Sequence, residues 1–117
     1  MNKYNARKCR MGDQVYDSRK EMQRHKELLI LEKAGKITDL KRQVSFTLLP
    51  GQREIIEKDG VTKIGKVIER GVYYTADFVY WENGKLVVED VKGVKTRDYI
   101  LRRKMMLYFH GIRIREV

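Results

Sequence analysis

The sequence is poor in the residues that cross-link or interrupt a chain. It has one cysteine, Cys9, and one proline, Pro50, among 117 residues. A single cysteine excludes an internal disulfide, so we expect a reducing, intracellular setting. One cysteine and two histidines also give no spacing that is typical of a zinc site. There is no apolar run of membrane-spanning length and no apolar stretch of a signal peptide near the start. We therefore expect no membrane partner.

Acidic residues are also scarce relative to basic ones, and the net charge is +10. Counted by segment, residues 1–20 carry +4, 21–42 carry +2, 43–92 carry −1 and 93–117 carry +5. Two basic blocks thus flank a slightly acidic middle. Such an excess favours a polyanionic partner, most often nucleic acid, although a solvated surface also explains it.

The length and the hydrophobic content of 42% fit one folded domain. We expect residues 1–14 to form a flexible basic arm and residues 15–117 to form a single domain. The Ser-x-x-Glu spacing of Ser18 and Glu21 is that of a capping box, which predicts a helix from there to about Ala34. A further short turn is expected just after it, at Ile37 and Leu40.

Strand and turn signals dominate the rest of the chain. The predicted elements are a strand at 44–49, a loop or irregular hairpin at 52–71, strands at 72–81 and 86–91, a helix from Thr96 to Phe109 and a strand at 112–117. The chain is therefore expected to be an α/β protein with the order helix, three strands, helix, strand.

Asn83-Gly84 is the strongest hairpin signal in the sequence. If these two residues form the loop, the paired positions place Asp77 opposite Asp90. Because side chains alternate along a strand, Lys92 then projects from the same face, whereas Glu89 projects from the other.

Two opposed carboxylates in otherwise apolar strands are unfavourable unless a cation lies between them. Hard oxygen ligands suit Mg²⁺ or Mn²⁺, and Lys92 could orient or deprotonate a water or stabilise a phosphate. The simpler alternative is that Asp77 and Asp90 lie at strand ends in solvent, with Lys92 neutralising one of them.

These residues carry a family resemblance. Ala76-Asp77 followed by Glu89-Asp90-Val91-Lys92-Gly93 resembles the PD-(D/E)XK nuclease signature, with Ala76 where the family has proline. From about Tyr16 onward the chain resembles short phage-borne nucleases related to archaeal-type Holliday junction resolvases, at residues 17–21, 34–37, 43, 74–80 and 88–95.

The resemblance implies a restriction-endonuclease-like core, with a mixed central sheet flanked by helices in the order α-β-β-β-α-β. It implies a Mg²⁺-dependent endodeoxyribonuclease, with Mn²⁺ able to substitute, that cuts four-way DNA junctions as a homodimer and needs no nucleotide cofactor. The implied catalytic residues are Glu21, Asp77, Asp90 and Lys92; the implied metal ligands are Asp77, Asp90, Glu21 and the carbonyl of Val91. Glu21 could instead serve only the capping box.

The sequence is also compatible with three other functions. One is a nuclease for flap, nicked or linear DNA; another is a non-catalytic DNA-binding module with this fold; the third is a basic RNA-binding protein. Candidate DNA contacts are Arg7, Lys8, Arg10, Lys95, Arg97, Arg102 and Arg103, although a solvated surface explains any one of them nearly as well. His25 and Gln43 receive no role.

Overall fold

The computed structural model describes residues 8–117. Its elements, in chain order, are β1 (Cys9–Met11), β2 (Gln14–Tyr16), α1 (Arg19–Lys33), β3 (Thr38–Leu49), β4 (Gln52–Lys58), β5 (Val61–Glu69), β6 (Val72–Glu82), β7 (Lys85–Asp90), α2 (Arg97–His110) and β8 (Arg115–Glu116).

A four-stranded mixed sheet lies at the centre, with strand order β3-β6-β7-β8. The first two pairings are antiparallel, and β8 runs parallel to β7 because α2 carries the chain back to the starting edge. The two helices and the four strands of this sheet follow one another along the chain in the order α1, β3, β6, β7, α2, β8. The protein is therefore a mixed α/β protein, as the sequence predicts.

Both helices begin at the predicted residues. The Ser18 hydroxyl accepts a hydrogen bond from the Glu21 amide at 3.1 Å, and Thr96 does the same for Tyr99 at 3.1 Å. α2 ends at Gly111, whose φ of 66° is the left-handed conformation that glycine adopts freely. No helix in the part of the chain that the structure describes is long and apolar enough to cross a membrane.

The helices cover opposite faces of the sheet. Leu28 of α1 packs with Phe78 and Val87, whereas Met106 of α2 packs in a second cluster with Val88. Val87 and Val88 are neighbours on one strand, so their side chains point to opposite faces. The chain thus forms two cores, one on the α1 face and one on the α2 face.

Two expectations near the start of the chain are wrong. Residues 9–14, expected in a flexible arm, belong largely to the β1–β2 hairpin, which brings Tyr16 into the core beside α1. The expected turn after α1 is replaced by the start of β3. Asp39, at a φ of 53°, lies within a register shift between Thr38 and Lys41, and this bulge lets the strand extend back almost to the helix. Residues 1–7 lie outside the described residues.

The segment 52–71 is an irregular hairpin, one of the two expected forms. β4 and β5 pair with each other around the Asp59-Gly60 turn, and their register shifts twice. Neither strand packs against any other helix or strand to a comparable extent within the described chain. The hairpin is thus an insertion between β3 and β6.

Candidate active site

The predicted hairpin register is confirmed. Phe78 pairs with Glu89 and Val79 with Val88, and the pairing continues regularly to the loop. Asn83 and Gly84 have φ values of 51° and 74°, the left-handed pair that a tight turn of this type needs. This register carries the chain toward Asp77 and Asp90 on neighbouring strands.

The sheet has an irregularity that alternation alone does not predict. Arg42 and Phe78, which pair across β3 and β6, point toward α1, whereas the next pair, Val44 and Ala76, packs in the core beneath α2. Residues two apart on a regular strand share a face, so both strands switch faces between these pairs. Gln43, with a φ of 52°, stands at the switch on β3. Strained backbone of this kind is typical of functional sites.

Asp77 and Asp90 are brought into contact. Their carboxyl groups lie close enough together that the negative charge of Asp77 disfavours ionisation of Asp90. Asp90 is 1% exposed, and its Oδ2 accepts a hydrogen bond from the Tyr74 hydroxyl at 2.7 Å. Asp77 Oδ2 accepts one from the Val91 amide at 2.8 Å. Burial and the neighbouring Asp77 raise the pKa of Asp90 well above its ordinary value.

Lys92 supplies the positive charge beside this pair. Its Nζ lies 3.4 Å from Asp90 Oδ2 and 4.4 Å from the ring centroid of Tyr99. The Tyr99 hydroxyl donates to Glu116 Oε2 at 2.6 Å, which fixes the ring that Lys92 lies over. The ammonium group is therefore held next to Asp90 by a side chain that is 26% exposed.

Glu21 approaches from the start of α1. It is 3% exposed, and its Oε1 accepts hydrogen bonds from Arg42 and from Gln43, each at 3.2 Å. The other oxygen accepts from the Asp17 amide at 3.3 Å. The Gln43 amide nitrogen also lies 3.4 Å from Asp77 Oδ1, so it bridges the two acids. Burial and the Asp77 charge raise the pKa of Glu21. Glu21 therefore takes part in helix capping and also lies at the site.

An open cavity of about 360 Å³ lies at this site, and Asp90 is not among the residues that line it. Glu21, Asp77 and Lys92 line it, together with both helix N-caps, Ser18 and Thr96. The N-terminus of a helix carries partial positive charge and free amide donors. Two such ends beside a lysine give the cavity the means to receive an anion.

The acidic residues at the cavity differ in how well they suit a divalent cation. Within residues 8–117 there is no group of three or more His, Cys, Asp and Glu side chains close enough to hold a metal ion. Asp77 and Asp90 do fit, because a half-buried carboxylate beside a buried one gains from a cation that offsets their mutual repulsion. Val91 lines the same cavity, whereas Glu21 is held by Arg42 and Gln43.

Glu89 lies on the other face, as predicted. Arg24 of α1 binds it with two hydrogen bonds, of 2.7 and 2.8 Å, and the Tyr80 hydroxyl donates to it at 2.6 Å. His25 is also buried on this side, hydrogen-bonded to Tyr16 and stacked on Phe78 at 5.5 Å. Burial lowers the pKa of His25, which behaves as a packed core residue.

The candidate DNA contacts divide into two groups. Lys95 and Arg103 form ion pairs with Glu116, and Arg102 forms one with Asp98 while donating to a backbone carbonyl. The others that the structure describes are exposed and make no ion pair within residues 8–117: Lys8, Arg10 and Arg97. Arg7 lies outside the described residues.

Four side chains at the site have no role in the sequence analysis. Tyr74 donates to Asp90, Tyr99 lies under Lys92, and Arg42 and Gln43 hold Glu21. Alternation could have placed Tyr74 on a buried face but could not have shown its hydroxyl reaching Asp90. Arg42 and Gln43 depend on the face switch, which no sequence pattern signals.

The fold and the site together define a mixed α/β protein with a carboxylate-lysine cluster at a cavity. The chain belongs to the family described as "Protein of unknown function (DUF1064)", which it matches over residues 1–116. No curated protein and no solved structure matches the chain.

Proposed function

We propose that this chain is a metal-dependent endonuclease of the PD-(D/E)XK kind that hydrolyses phosphodiester bonds in DNA. One observation carries the proposal: the half-buried Asp77 lies beside the buried Asp90, with the Lys92 ammonium 3.4 Å from Asp90. Two neighbouring acids in an apolar sheet lower the stability of the fold unless a bound cation, and through it an anionic substrate, offsets their charge. The element order around the central sheet is compatible with the nuclease core.

Each residue has a definite task in this proposal. Asp77 and Asp90 would hold the cation, Mg²⁺ or Mn²⁺, which supplies charge for the phosphate and lowers the pKa of a bound water. Lys92 would stabilise negative charge on the phosphate or orient the water. Gln43 keeps Glu21 and Asp77 at fixed separation, and Tyr74 keeps the Asp90 carboxyl group in its orientation.

The net charge of +10 supports a nucleic-acid substrate. Lys8, Arg10 and Arg97 are exposed cations available to phosphates, and Arg97 directly follows the cap residue Thr96 at the cavity. The family resemblance favours branched DNA, above all four-way junctions, cut by a homodimer. A second candidate is a nuclease for flap, nicked or linear DNA, which the same cavity would serve because its open form selects no one substrate shape.

The test is a cleavage assay on four-way junction, flap, nicked and linear DNA in parallel, with Mg²⁺ and, separately, with Mn²⁺. The variants are Asp90→Asn and Lys92→Met. Their matched controls are Asp39→Asn, at an exposed left-handed position that asparagine tolerates, and Lys36→Met, at an exposed position after α1. We expect the wild type and both controls to cut and both site variants to fail.

Two results would change the conclusion. A wild-type protein that binds DNA and cuts none of the four substrates with either metal contradicts the nuclease proposal and supports a non-catalytic DNA-binding module. A protein that cuts linear duplex as fast as junctions contradicts the junction preference and leaves the nuclease proposal standing.

A further inference from the structure

The β4–β5 hairpin projects from the body of the protein. The radius of gyration is 18.4 Å and the longest extent is 61 Å, whereas a compact chain of this length has a radius of gyration of roughly 13 Å. The hairpin pairs internally and makes no comparable contact with other described elements. A lone two-stranded ribbon is marginally stable in water, and it gains stability from further strands or from packing.

One face of the hairpin carries unpartnered apolar side chains. Ile55 and Ile64 pair across the two strands and are 70% and 74% exposed. Val67, further along the same ribbon, is 47% exposed. Exposed aliphatic pairs on a ribbon of this kind mark a surface that binds another molecule.

The two edges of the ribbon differ. Both register shifts place the extra residue in β5: Arg53 and Ile55 are two apart, while their partners Val67 and Ile64 are three apart. Bulges disrupt an edge and make it a poor template for a further strand. From Ile55 to Lys58 the β4 strand is regular. The edge of β4 is therefore the one suited to accept another strand.

The charge of the hairpin argues against nucleic acid as its partner. Residues 52–70 carry five positive and four negative side chains, a net of +1, while the whole chain carries +10. A polyanion would meet four carboxylates there. A surface of exposed isoleucines between charges of both signs suits a protein partner.

The sequence of β4 is complementary to itself. Suppose that two copies of the strand lie antiparallel about a two-fold axis through Ile55. Arg53 of each copy then lies opposite Glu57 of the other copy, which gives two ion pairs. Within one chain the residues opposite them are Val67 and Thr62, and Arg53 Nε donates to the Gly65 carbonyl at 2.8 Å, so neither side chain faces an opposite charge across the ribbon. Opposite charges directly across an antiparallel pair stabilise it, and two-fold axes generate such repeats.

We propose that β4 binds β4 of a second copy of this chain, forming a four-stranded sheet in the order β5-β4-β4-β5 across a two-fold axis. Ile55 lies at the axis, flanked by the two Arg53–Glu57 pairs. This inference does not depend on the proposed nuclease function, since it rests on the hairpin alone. For a nuclease that makes two cuts, it would link two sites in one assembly.

A charge-swap series tests the pairing. Molar mass is measured by sedimentation from micromolar to submillimolar protein for the wild type, R53E, E57R and the double variant R53E/E57R. Each single change places like charges opposite each other twice, so we expect the dimer dissociation constant to rise about tenfold. The double variant restores opposite charges in reversed order and should return to within about twofold of the wild type.

Disulfide trapping locates the axis independently. Ile55→Cys and Ile64→Cys, each with Cys9→Ser, are oxidised under the same conditions. Residue 55 would face itself across the axis at a distance that a disulfide spans, whereas position 64 would be three strand spacings, about 14 Å, from its mate. The two positions are almost equally exposed, so Ile64→Cys controls for random collision. We expect a trapped dimer for position 55 only.

Three outcomes would overturn the proposal. One is a wild type that stays monomeric over the whole concentration range. Another is a dimer unaffected by either single charge change, which would place the interface elsewhere. The third is an Ile55→Lys variant that keeps the wild-type molar mass and binds DNA more tightly, which would identify DNA as the partner of the hairpin. Circular dichroism melting shows that each variant is folded.

Discussion

Two adjacent carboxylates at the end of β7 lie in opposite electrostatic environments. Glu89 is 0% exposed and Asp90 is 1% exposed, and each accepts a hydrogen bond from a tyrosine hydroxyl. On the α1 face, Arg24 binds Glu89 with two hydrogen bonds. On the α2 face, Asp90 meets a second acid, Asp77, and has one lysine at 3.4 Å.

The difference separates a structural acid from a functional one. A buried carboxylate with a two-pronged guanidinium partner is satisfied, and removing either member leaves an uncompensated charge. A buried carboxylate against another carboxylate is electrostatically unfavourable in the absence of a proton or a cation, even when it also has a hydrogen-bond donor. Burial alone would have classed the two acids together, so the identity of the partner is the informative observation.

The largest effect is expected from Asp90→Asn. The cleavage rate should fall at least about 10³-fold, because one of the two charges that hold the cation is lost. Thermal stability should stay the same or rise slightly, since a like-charge contact disappears. Initial rates on the preferred DNA and melting curves measure the two properties. An active variant would show that Asp90 is not part of the reacting centre.

The matching change on the other face, Glu89→Gln, should lower stability and have little effect on the cleavage rate. Breaking the pair with Arg24 leaves a guanidinium with a neutral partner, and we expect a loss of about 2–3 kcal/mol, somewhat below a fully buried pair because Arg24 is partly exposed. Denaturant unfolding measures the loss. At a temperature where the variant is folded, its cleavage rate should remain within about tenfold of the wild type. Unchanged stability would contradict the structural role of Glu89.

Mg²⁺ should stabilise the protein in a pH-dependent way. The fold raises the pKa of Asp90, so its protonated form is favoured and stability falls as pH rises from the ordinary carboxyl range toward the raised value. A cation that replaces the proton should therefore raise the melting temperature more at pH 8 than at pH 6, by an amount equivalent to about 1–3 kcal/mol at saturation. Asp90→Asn should abolish the difference, and an equal shift in that variant would place the cation elsewhere.

A smaller effect is expected from Gln43→Gly. Glycine adopts the left-handed conformation without strain, so stability should change by less than about 1 kcal/mol. The lost amide no longer holds Glu21 and Asp77, and we expect about a fivefold to tenfold lower kcat with little change in KM. Gln43→Asn is the comparison, since it keeps an amide on a shorter arm. A wild-type kcat for the glycine variant would show that the amide has no positioning role.

The smallest effect is expected on DNA binding, from exposed cations on the two helices that cover the sheet. Arg97→Ala, at the start of α2, should weaken DNA binding about twofold to threefold and reduce the salt dependence by about one phosphate contact. Lys26→Ala, on the exposed surface of α1, should leave both unchanged. Binding titrations at several salt concentrations measure this, and equal effects would show that DNA does not approach from the α2 side.

The sequence specified the local geometry around the β6–β7 hairpin well. Asn83-Gly84 tolerates the left-handed turn that this loop requires, and that turn sets the register through to Glu89. The helix starts at Ser18 and Thr96 followed for the same reason, since capping is decided by a few adjacent residues. Glu89 could be excluded from the site because alternation holds throughout β7.

The rest depended on contacts between distant segments. The bulge at Asp39 and the face switch at Gln43 arise from pairing with β6, so no local pattern reveals them. Consequently the roles of Arg42 and Gln43 were missed. The β1–β2 hairpin is stabilised by packing Tyr16 against α1, and its strands of three residues are too short to show a period.

The parallel pairing of β7 with β8 has a consequence for the order of folding. The Val117 amide donates to the Asp90 carbonyl at 3.0 Å, and the Lys92 amide donates to the Val117 carbonyl at 3.1 Å. The main chain of Asp90 and Lys92 therefore gains these hydrogen bonds only after α2 and β8 have left the ribosome. Until then the two acids of the hairpin can remain hydrated and apart. The nascent chain thus carries the sequence of the site for some time before it carries the assembled site.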